Sequence, residues 1–491
     1  MIKKNSELRK ITIEPVTRVE GHGKVTIQLD EYDRVIQTRL HIVEFRGFEK
    51  FIQGRPYWEA PVLVQRLCGI CPVSHLLCAS KAMDEIVGVS SDQLTPTADK
   101  MRRLMHYGQI FQSHVLHFFH LASPDLLFGV DYDPVKRNIV GLIESFPELA
   151  KKAILMRKFG QEVIRATSGK KIHGTGAIPG GINHRLSRQE GNALLQGSSE
   201  LNADRIVEWA LEGLYLFKNY HKKNHEFIDG FAAFPSNYMS LVRKDGGMDL
   251  YHGALRAIDP EGNKIFDQVD YQQYSEYLSE EVRSWTYMKF PFIKSLGKEK
   301  GWYRVGPLAR MNTCDFIPTP IAQKEFEEFK AYTHGKPNGM SMHMHWARLI
   351  EVVHAAECMR NLLQDPECYE GELLRGGVHR PEGVGVIEAP RGTLFHHYRV
   401  NQNDLITMCN LIVSTTSNNE AMNRAVSWVA ETHISGLKKI PEGVLNQVEV
   451  AIRAFDPCLS CATHAVGQMP LEMSLYTSES KLLDRISRSI H

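Results

Sequence analysis

The chain has 491 residues, 43% hydrophobic and 23% charged, an ordinary soluble balance that allows roughly two to four domains at about 100 to 200 residues each. Lys and Arg total 58 against 57 for Asp and Glu, a formal net charge of +1, so nucleic acid and anionic membrane are excluded as main partners on charge. No run of about eighteen apolar residues occurs, and the polar stretch Met1 to Lys10 has no apolar signal core, so a cytoplasmic protein without a membrane span is expected.

From Ile11 to Val43 hydrophobicity alternates, as in KVTIQL and RVIQTRLHIVEF, with the turn-like DEYD between the runs. A period of two predicts a small antiparallel sheet. After Pro61 the spacing becomes helical, and helices are expected over 62–87, 101–121, 147–167, 203–227, 323–333 and 346–363. Gly and Pro cluster at 174–181 and 376–392, which reads as loops that turn sharply or approach something closely. No repeat or linker appears. The expected fold is one mainly α unit with a small N-terminal antiparallel β-sheet (α+β).

The nine cysteines are an odd count: Cys68, Cys71 and Cys78 early, Cys458 and Cys461 late, and Cys314, Cys358, Cys368 and Cys409 between. That is no disulfide framework for a chain this long. Two C-x-x-C pairs stand out, in Arg66-Leu-Cys68-Gly-Ile-Cys71-Pro-Val-Ser-His75 and in Asp456-Pro-Cys458-Leu-Ser-Cys461-Ala-Thr-His464. Four soft thiolates suit zinc, an iron-sulfur cluster or nickel. A structural zinc is the usual reading for pairs about 15 to 20 residues apart. These pairs lie near opposite ends of the chain and would join the two ends of a fold. Ligand type alone leaves all three metals open.

Five ordered motifs resemble those of nickel-iron hydrogenase large subunits: Thr17-Arg-Val-Glu20-Gly21-His22, Arg46-Gly-Phe-Glu49, Cys68-Gly-Ile-Cys71 with His75, Glu388-Ala-Pro390-Arg391-Gly392, and Asp456-Pro-Cys458 through His464. The runs VEFRGFEKFIQGRPYWEAPVLVQRLCGICPVSH, GVIEAPRGTLFHHY and DPCLSCATHAVGQMPL are most similar to the large subunit of soluble NAD-reducing hydrogenases. The resemblance implies a large-subunit fold with a central bundle of long helices. It also implies reversible, heterolytic oxidation of dihydrogen at a nickel-iron centre carrying carbon monoxide and two cyanides.

By that resemblance Cys68, Cys71, Cys458 and Cys461 bind nickel, and Cys71 and Cys461 also bridge to iron, a duty suited to soft anionic donors. Arg391 lies over the open coordination position, where a permanently charged planar guanidinium stabilises developing charge. Pro390 sits beside it, and Thr415 donates to a cyanide. Cys458 is the first proton acceptor and Glu20 the next. His75, four residues after Cys71, reaches the bridging sulfur from a helix as an outer donor. Glu49, His464 and the Leu411 carbonyl resemble magnesium ligands. Outside these motifs the same residues would read as a salt-bridge arginine, a solvated glutamate, a capping hydroxyl and a core histidine.

One departure concerns Arg391. Many membrane-linked members place a carboxylate before His-x-x-His-Phe, whereas Ser113 precedes His114, His117 and Phe118 here, which leaves Asp456 as the nearby carboxylate for Arg391. His114 and His117 are expected to pack helices, and His343 and His345 carry no role. Residues 1–464 form the expected catalytic unit. Residues 465–491 resemble an extension removed between His464 and Ala465 by a dedicated protease once nickel is loaded; the alternating MPLEMSLY run also reads as part of a C-terminal hairpin and helix.

No dinucleotide-binding G-x-G-x-x-G follows a strand, since Gly174-Thr-Gly176-Ala-Ile-Pro179 ends in proline, and no phosphate-binding P-loop occurs. NAD, FMN and iron-sulfur clusters are accordingly expected only on partners: a small subunit with an iron-sulfur cluster and flavin- and NAD-binding diaphorase subunits, with nickel-insertion proteins acting in maturation. A deazaflavin or NADP acceptor is the alternative for the same chemistry. A hydrogen sensor or a quinone-site relative without catalysis is the alternative of another class.

Overall fold

The computed structural model describes residues 9–462 and the backbone of 471–476 and 482–488. Strands β1 (Lys10–Ile13), β2 (Gly23–Leu29) and β3 (Val35–Ile42) form the expected N-terminal antiparallel sheet, with Val25 opposite Leu40. Val25, Ile27 and Leu29 are fully buried, as the alternation requires.

The region read as one helix over 62–87 is broken. A short helix α1 (Phe48–Phe51) precedes α2 (Ala60–Val64), and a tight turn at Gln65–Leu67 leads to an extended Cys68 before α3 (Pro72–Ile86) begins. Pro72 explains the restart: it lacks the N–H that a continuous helix would use, and it suits the first turn of a new one.

Helix α4 (Pro96–Leu116) is capped by Thr95, whose hydroxyl accepts the Ala98 N–H at 3.2 Å, and it runs on into a π-helical turn at His117–Ala122. With α5 (Pro147–Ser168), α6 (Ala203–Lys223) and α10 (His343–Gln364) it makes the central bundle, α4 packing on α5 and α10 packing on both α4 and α6. Helix α10 is buried on nearly every face, the mark of a central helix. Between them come α7 (His225–Gly230), α8 (Pro307–Thr313) and α9 (Pro320–Tyr332). The later helices α11 (Asn419–His433) and α12 (Glu442–Ala454) were not expected from the sequence.

Two further sheets were also not expected. Strands β4 (Asn237–Val242), β5 (Ala254–Ile258), β6 (Lys264–Val269) and β7 (Tyr303–Arg304) form one, in the order β7-β4-β5-β6. Strands β8 (Glu382–Ala389), β9 (Gly392–Val400) and β10 (Ile406–Ile412) form an antiparallel meander. The meander overturns the loop reading of 376–392 from Glu382 onward. Its glycines serve close approach: a Cβ at Gly383 or Gly385 would lie 2.1 Å from the Ala82 or Cys78 carbonyl of α3, so only glycine lets α3 lie on β8. Beyond the site, Leu471–Tyr476 and Leu482–Arg488 pair as antiparallel strands, which matches the hairpin part of the reading of that run, while both described segments are strands and neither is the helix.

Candidate metal centre

The break between α2 and α3 points two thiols inward, and a second break supplies their partners. Helix α12 ends at Ala454, and Asp456 adopts a left-handed φ of 52°, a conformation aspartate tolerates better than most residues. The chain then turns so that Cys458 pairs backbone-to-backbone with Glu20 and the Leu459 N–H bonds the Glu20 carbonyl at 2.9 Å. Gly21 makes that seam possible: its φ is 81°, and a Cβ there would meet the Ser460 nitrogen at 2.6 Å.

The seam brings all four cysteines together. Cys68 Sγ lies 3.1 Å from Cys458 Sγ, Cys71 Sγ 3.6 Å from Cys461 Sγ, and Cys458 Sγ 3.0 Å from Cys461 Sγ. The four are buried, with every ligand atom within 4.8 Å of the others. The Ile70 N–H points at Cys68 Sγ from 3.2 Å. Burial pushes the Cys458 and Cys461 thiols well above their ordinary range, so these thiols hold their protons until a cation displaces them.

Arg391 sits in the two-residue turn between β8 and β9, buried against this tetrad. Its Nε donates to the Asp456 carbonyl at 2.6 Å, Nη2 to Asp456 Oδ1 at 2.9 Å and Nη1 to Ser113 Oγ at 3.2 Å. Burial opposes its charge, but Asp456 and the cysteine sulfurs outweigh that and hold the guanidinium protonated. Burial raises the Asp456 carboxyl in turn, against the pull of Arg391 and Arg348. Pro390, Arg391, Thr415, Val413 and Ala389 close a cavity that touches Cys71, Cys458 and Cys461 but not Cys68.

Glu20 Oε2 lies 3.0 Å from Cys458 Sγ and accepts the Ser460 N–H at 3.1 Å. Burial first, then the neighbouring Cys68 sulfur, lifts its carboxyl above the ordinary range. The Thr415 hydroxyl oxygen accepts the Cys458 N–H at 3.0 Å, leaving its own hydrogen to donate elsewhere. His75 Nε2 lies 3.4 Å from Cys461 Sγ, on the second cysteine pair. Glu49 and Leu411 are brought together, the Leu411 N–H donating to Glu49 Oε1 at 2.9 Å. His464 and Ala465 lie outside the described residues.

His114 and His117 hold helices together as expected, through Glu351 at 2.9 Å and the Arg453 carbonyl at 2.8 Å. Sequence reasoning missed the buried network behind the Arg391 turn, in which Arg310 binds Glu351 at 2.6 Å and the motif residue Glu388 at 2.7 Å. It also missed His396 and Tyr398 on β9. Period-two spacing after Glu388-Ala-Pro-Arg-Gly was the available signal for those two. His343, given no role from the sequence, joins a second group of ligating type. Asp229 Oδ1 accepts from His221 Nε2 at 2.7 Å and from His343 Nε2 at 2.8 Å, while Asn338 donates to His343 Nδ1 at 2.9 Å.

A family model described as nickel-dependent hydrogenase matches residues 46–137 and 251–464, and one described as HoxL-like matches 10–45. The chain is 50% identical over 487 residues to the NAD-reducing hydrogenase HoxS subunit beta of Cupriavidus necator, covering 98% of this chain and 100% of that one. It is 42% identical over 484 residues to a chain of the F420-non-reducing hydrogenase of Methanothermobacter marburgensis, covering 97% and 100%. A crystal structure of an NAD+-reducing [NiFe]-hydrogenase in the H2-reduced state superposes with a TM-score of 0.90 at 53% identity, over 93% of this chain and 99% of that one. The Ni-Fe-Se hydrogenase from D. vulgaris Hildenborough shares the fold, with a TM-score of 0.73 at 22% identity over 93% and 100%. With four buried cysteines gathered in one cluster, a basic canopy over them and these matches across its length, the chain belongs to the nickel-dependent hydrogenases.

Proposed function

We propose that the chain is the catalytic subunit of a cytoplasmic hydrogenase that oxidises dihydrogen reversibly and passes the electrons through partner subunits to NAD+. One observation carries the assignment of metal. The four sulfurs do not form a closed cage, because a cavity opens beside Cys71, Cys458 and Cys461 and is roofed by Arg391 and Thr415, whereas structural zinc sites are closed. By the family resemblance Cys68, Cys71, Cys458 and Cys461 would hold nickel, Cys68 and Cys458 binding it alone, and Cys71 and Cys461 would also hold iron. In this reading the iron would carry carbon monoxide and two cyanides, with Thr415 and Arg391 as the donors that face the cavity.

The bound centre supplies the Lewis acidity that polarises dihydrogen and the redox capacity that accepts its electrons. The chain supplies proton handling and shape. Cys458 Sγ stands 3.0 Å from Glu20 Oε2, the distance at which a released proton moves from sulfur to carboxylate. The raised Glu20 carboxyl suits an acceptor that must also give the proton up again. Arg391, fixed by Asp456 and Ser113, presents charge to the cavity, with Pro390 beside it in the lining.

The electrons leave for a small subunit with an iron-sulfur cluster and for flavin- and NAD-binding diaphorase subunits. Among the described residues no helix is long and apolar enough to cross a membrane. Glu49, the Leu411 carbonyl and His464 hold magnesium in this reading. Residues 1–464 are the catalytic unit, and a maturation protease removes 465–491 after nickel-insertion proteins have acted.

Purified with its partners, the complex should contain nickel and iron, show carbonyl and cyanide infrared bands, and reduce NAD+ under hydrogen. Zinc without nickel in that complex overturns the metal; hydrogen oxidation with an artificial dye but without NAD+ reduction overturns the acceptor.

A further inference from the structure

Strand β9 turns Leu394, His396 and Tyr398 toward α3, while Phe395 packs into a separate core on the other face. The cross-strand neighbour of His396 is Gly385, whose missing side chain lets α3 settle close. His75, one turn into α3, thereby comes to rest on His396. The result is a continuous row of buried polar atoms. Tyr398 Oη lies 2.7 Å from His396 Nδ1, His396 Nε2 lies 3.1 Å from His75 Nδ1, and His75 Nε2 lies 3.4 Å from Cys461 Sγ. All three side chains are buried.

A neutral imidazole has one donor and one acceptor nitrogen, so neighbouring rings fix each other's tautomers. The direction is set at the sulfur end. In the proposed centre Cys461 is a bridging thiolate, which carries no proton and can only accept. His75 must then donate from Nε2 and accept at Nδ1, which makes His396 donate from Nε2 and accept at Nδ1. Tyr398 must donate its O–H.

We propose that Tyr398 and His396 are positioning residues that lock His75 as a hydrogen-bond donor to the bridging sulfur of Cys461, so that a phenol two side chains away controls electron density at the metal pair. A hydrogen bond to a thiolate withdraws electron density from the metals it bridges. Less density at iron means less back-donation to its diatomic ligands and higher stretching frequencies. This inference rests on the nickel-iron reading of the site.

The test is infrared spectroscopy of the loaded complex. Tyr398→Phe should shift the carbonyl and cyanide bands to lower wavenumber at unchanged nickel content, because His396 Nδ1 loses the donor that favours the tautomer donating toward His75. Adding His396→Gln, whose amide donates without an upstream partner, should bring the bands back. A role for Tyr398 in packing alone predicts no such rescue. Should Tyr398→Phe fail to load nickel, the single variants His396→Gln and His396→Leu decide: wild-type bands in the first and lowered bands in the second support the chain. Unshifted bands in Tyr398→Phe, or equal bands in the two His396 variants, overturn it. Absence of carbonyl and cyanide bands from the wild-type complex would instead overturn the nickel-iron reading.

Discussion

Among the described residues two groups of ligating side chains stand in this fold, and they differ in what already holds them. In the His221–Asp229–His343 group the polar atoms facing the centre are matched: the carboxylate takes two imidazole N–H donors, Tyr332 donates to its second oxygen at 2.5 Å, and Asn338 holds the His343 tautomer. The four cysteine sulfurs chiefly face one another. They crowd within 4.8 Å, and as thiolates they would repel. Proximity of ligand atoms therefore does not make a metal site; like charge that only a cation can offset does.

The sharpest way to break that comparison is Cys461→Ser, which is expected to abolish nickel incorporation, whereas Asp229→Asn should leave nickel content at the wild-type level. Metal analysis of both purified complexes checks this, and nickel retained in the first variant would remove the bridging assignment. Next in size, Glu20→Gln should lower hydrogen oxidation by about 10²- to 10⁴-fold with metal content unchanged. Initial rates within a few-fold of wild type would take Glu20 out of the proton path.

The matched group should instead show itself in acid. Burial depresses His343 to about 4 despite the nearby Asp229, while an unfolded histidine titrates near about 6.5. Below that value the unfolded chain binds a proton the fold refuses. The associated stability is complete above pH about 6.5 and is lost as pH falls through about 4, with a ceiling of about 3 kcal/mol. Denaturation midpoints measured between pH 7 and 4 should fall, and His343→Gln should flatten the fall. The smallest effect is that of Asp229→Asn on stability at neutral pH. The amide oxygen can keep both imidazole N–H groups in the place of Oδ1, but its NH2 replaces the acceptor of the Tyr332 O–H, so one hydrogen bond worth about 0.5 to 1.5 kcal/mol is lost, readable as a lowered thermal midpoint.

How much of this was legible beforehand depended on whether the signal was local. The two C-x-x-C pairs, Gly21 and the Pro390-Arg391 turn are short patterns whose chemistry survives without coordinates, and the structure brings them together. The small N-terminal sheet and the long helices were readable because burial on one face writes a period into the sequence. Where burial is total the period disappears, so β4 with its continuous NYMSLV run and the meander after Glu382 passed unread. Arg310, Glu351 and Glu388 come from three elements, and nothing in their spacing says that they meet. The helix expected over 62–87 failed for the opposite reason, since its apolar spacing is real but Pro72 restarts the helix where the thiols must turn inward.

The backbone seam between Glu20 and Cys458 closes a loop of 438 residues. Closing so long a loop costs only about 0.6 kcal/mol more than closing one half its length, so contact order is paid in folding time rather than in stability. During synthesis Cys68 and Cys71 emerge long before the residues that complete their ligand set, and half a site cannot hold the centre. Once metal bridges the two pairs the chain becomes a ring in all but name. Its unfolded state is then restricted as a disulfide would restrict it, and loss of metal becomes the step that unlocks the rest.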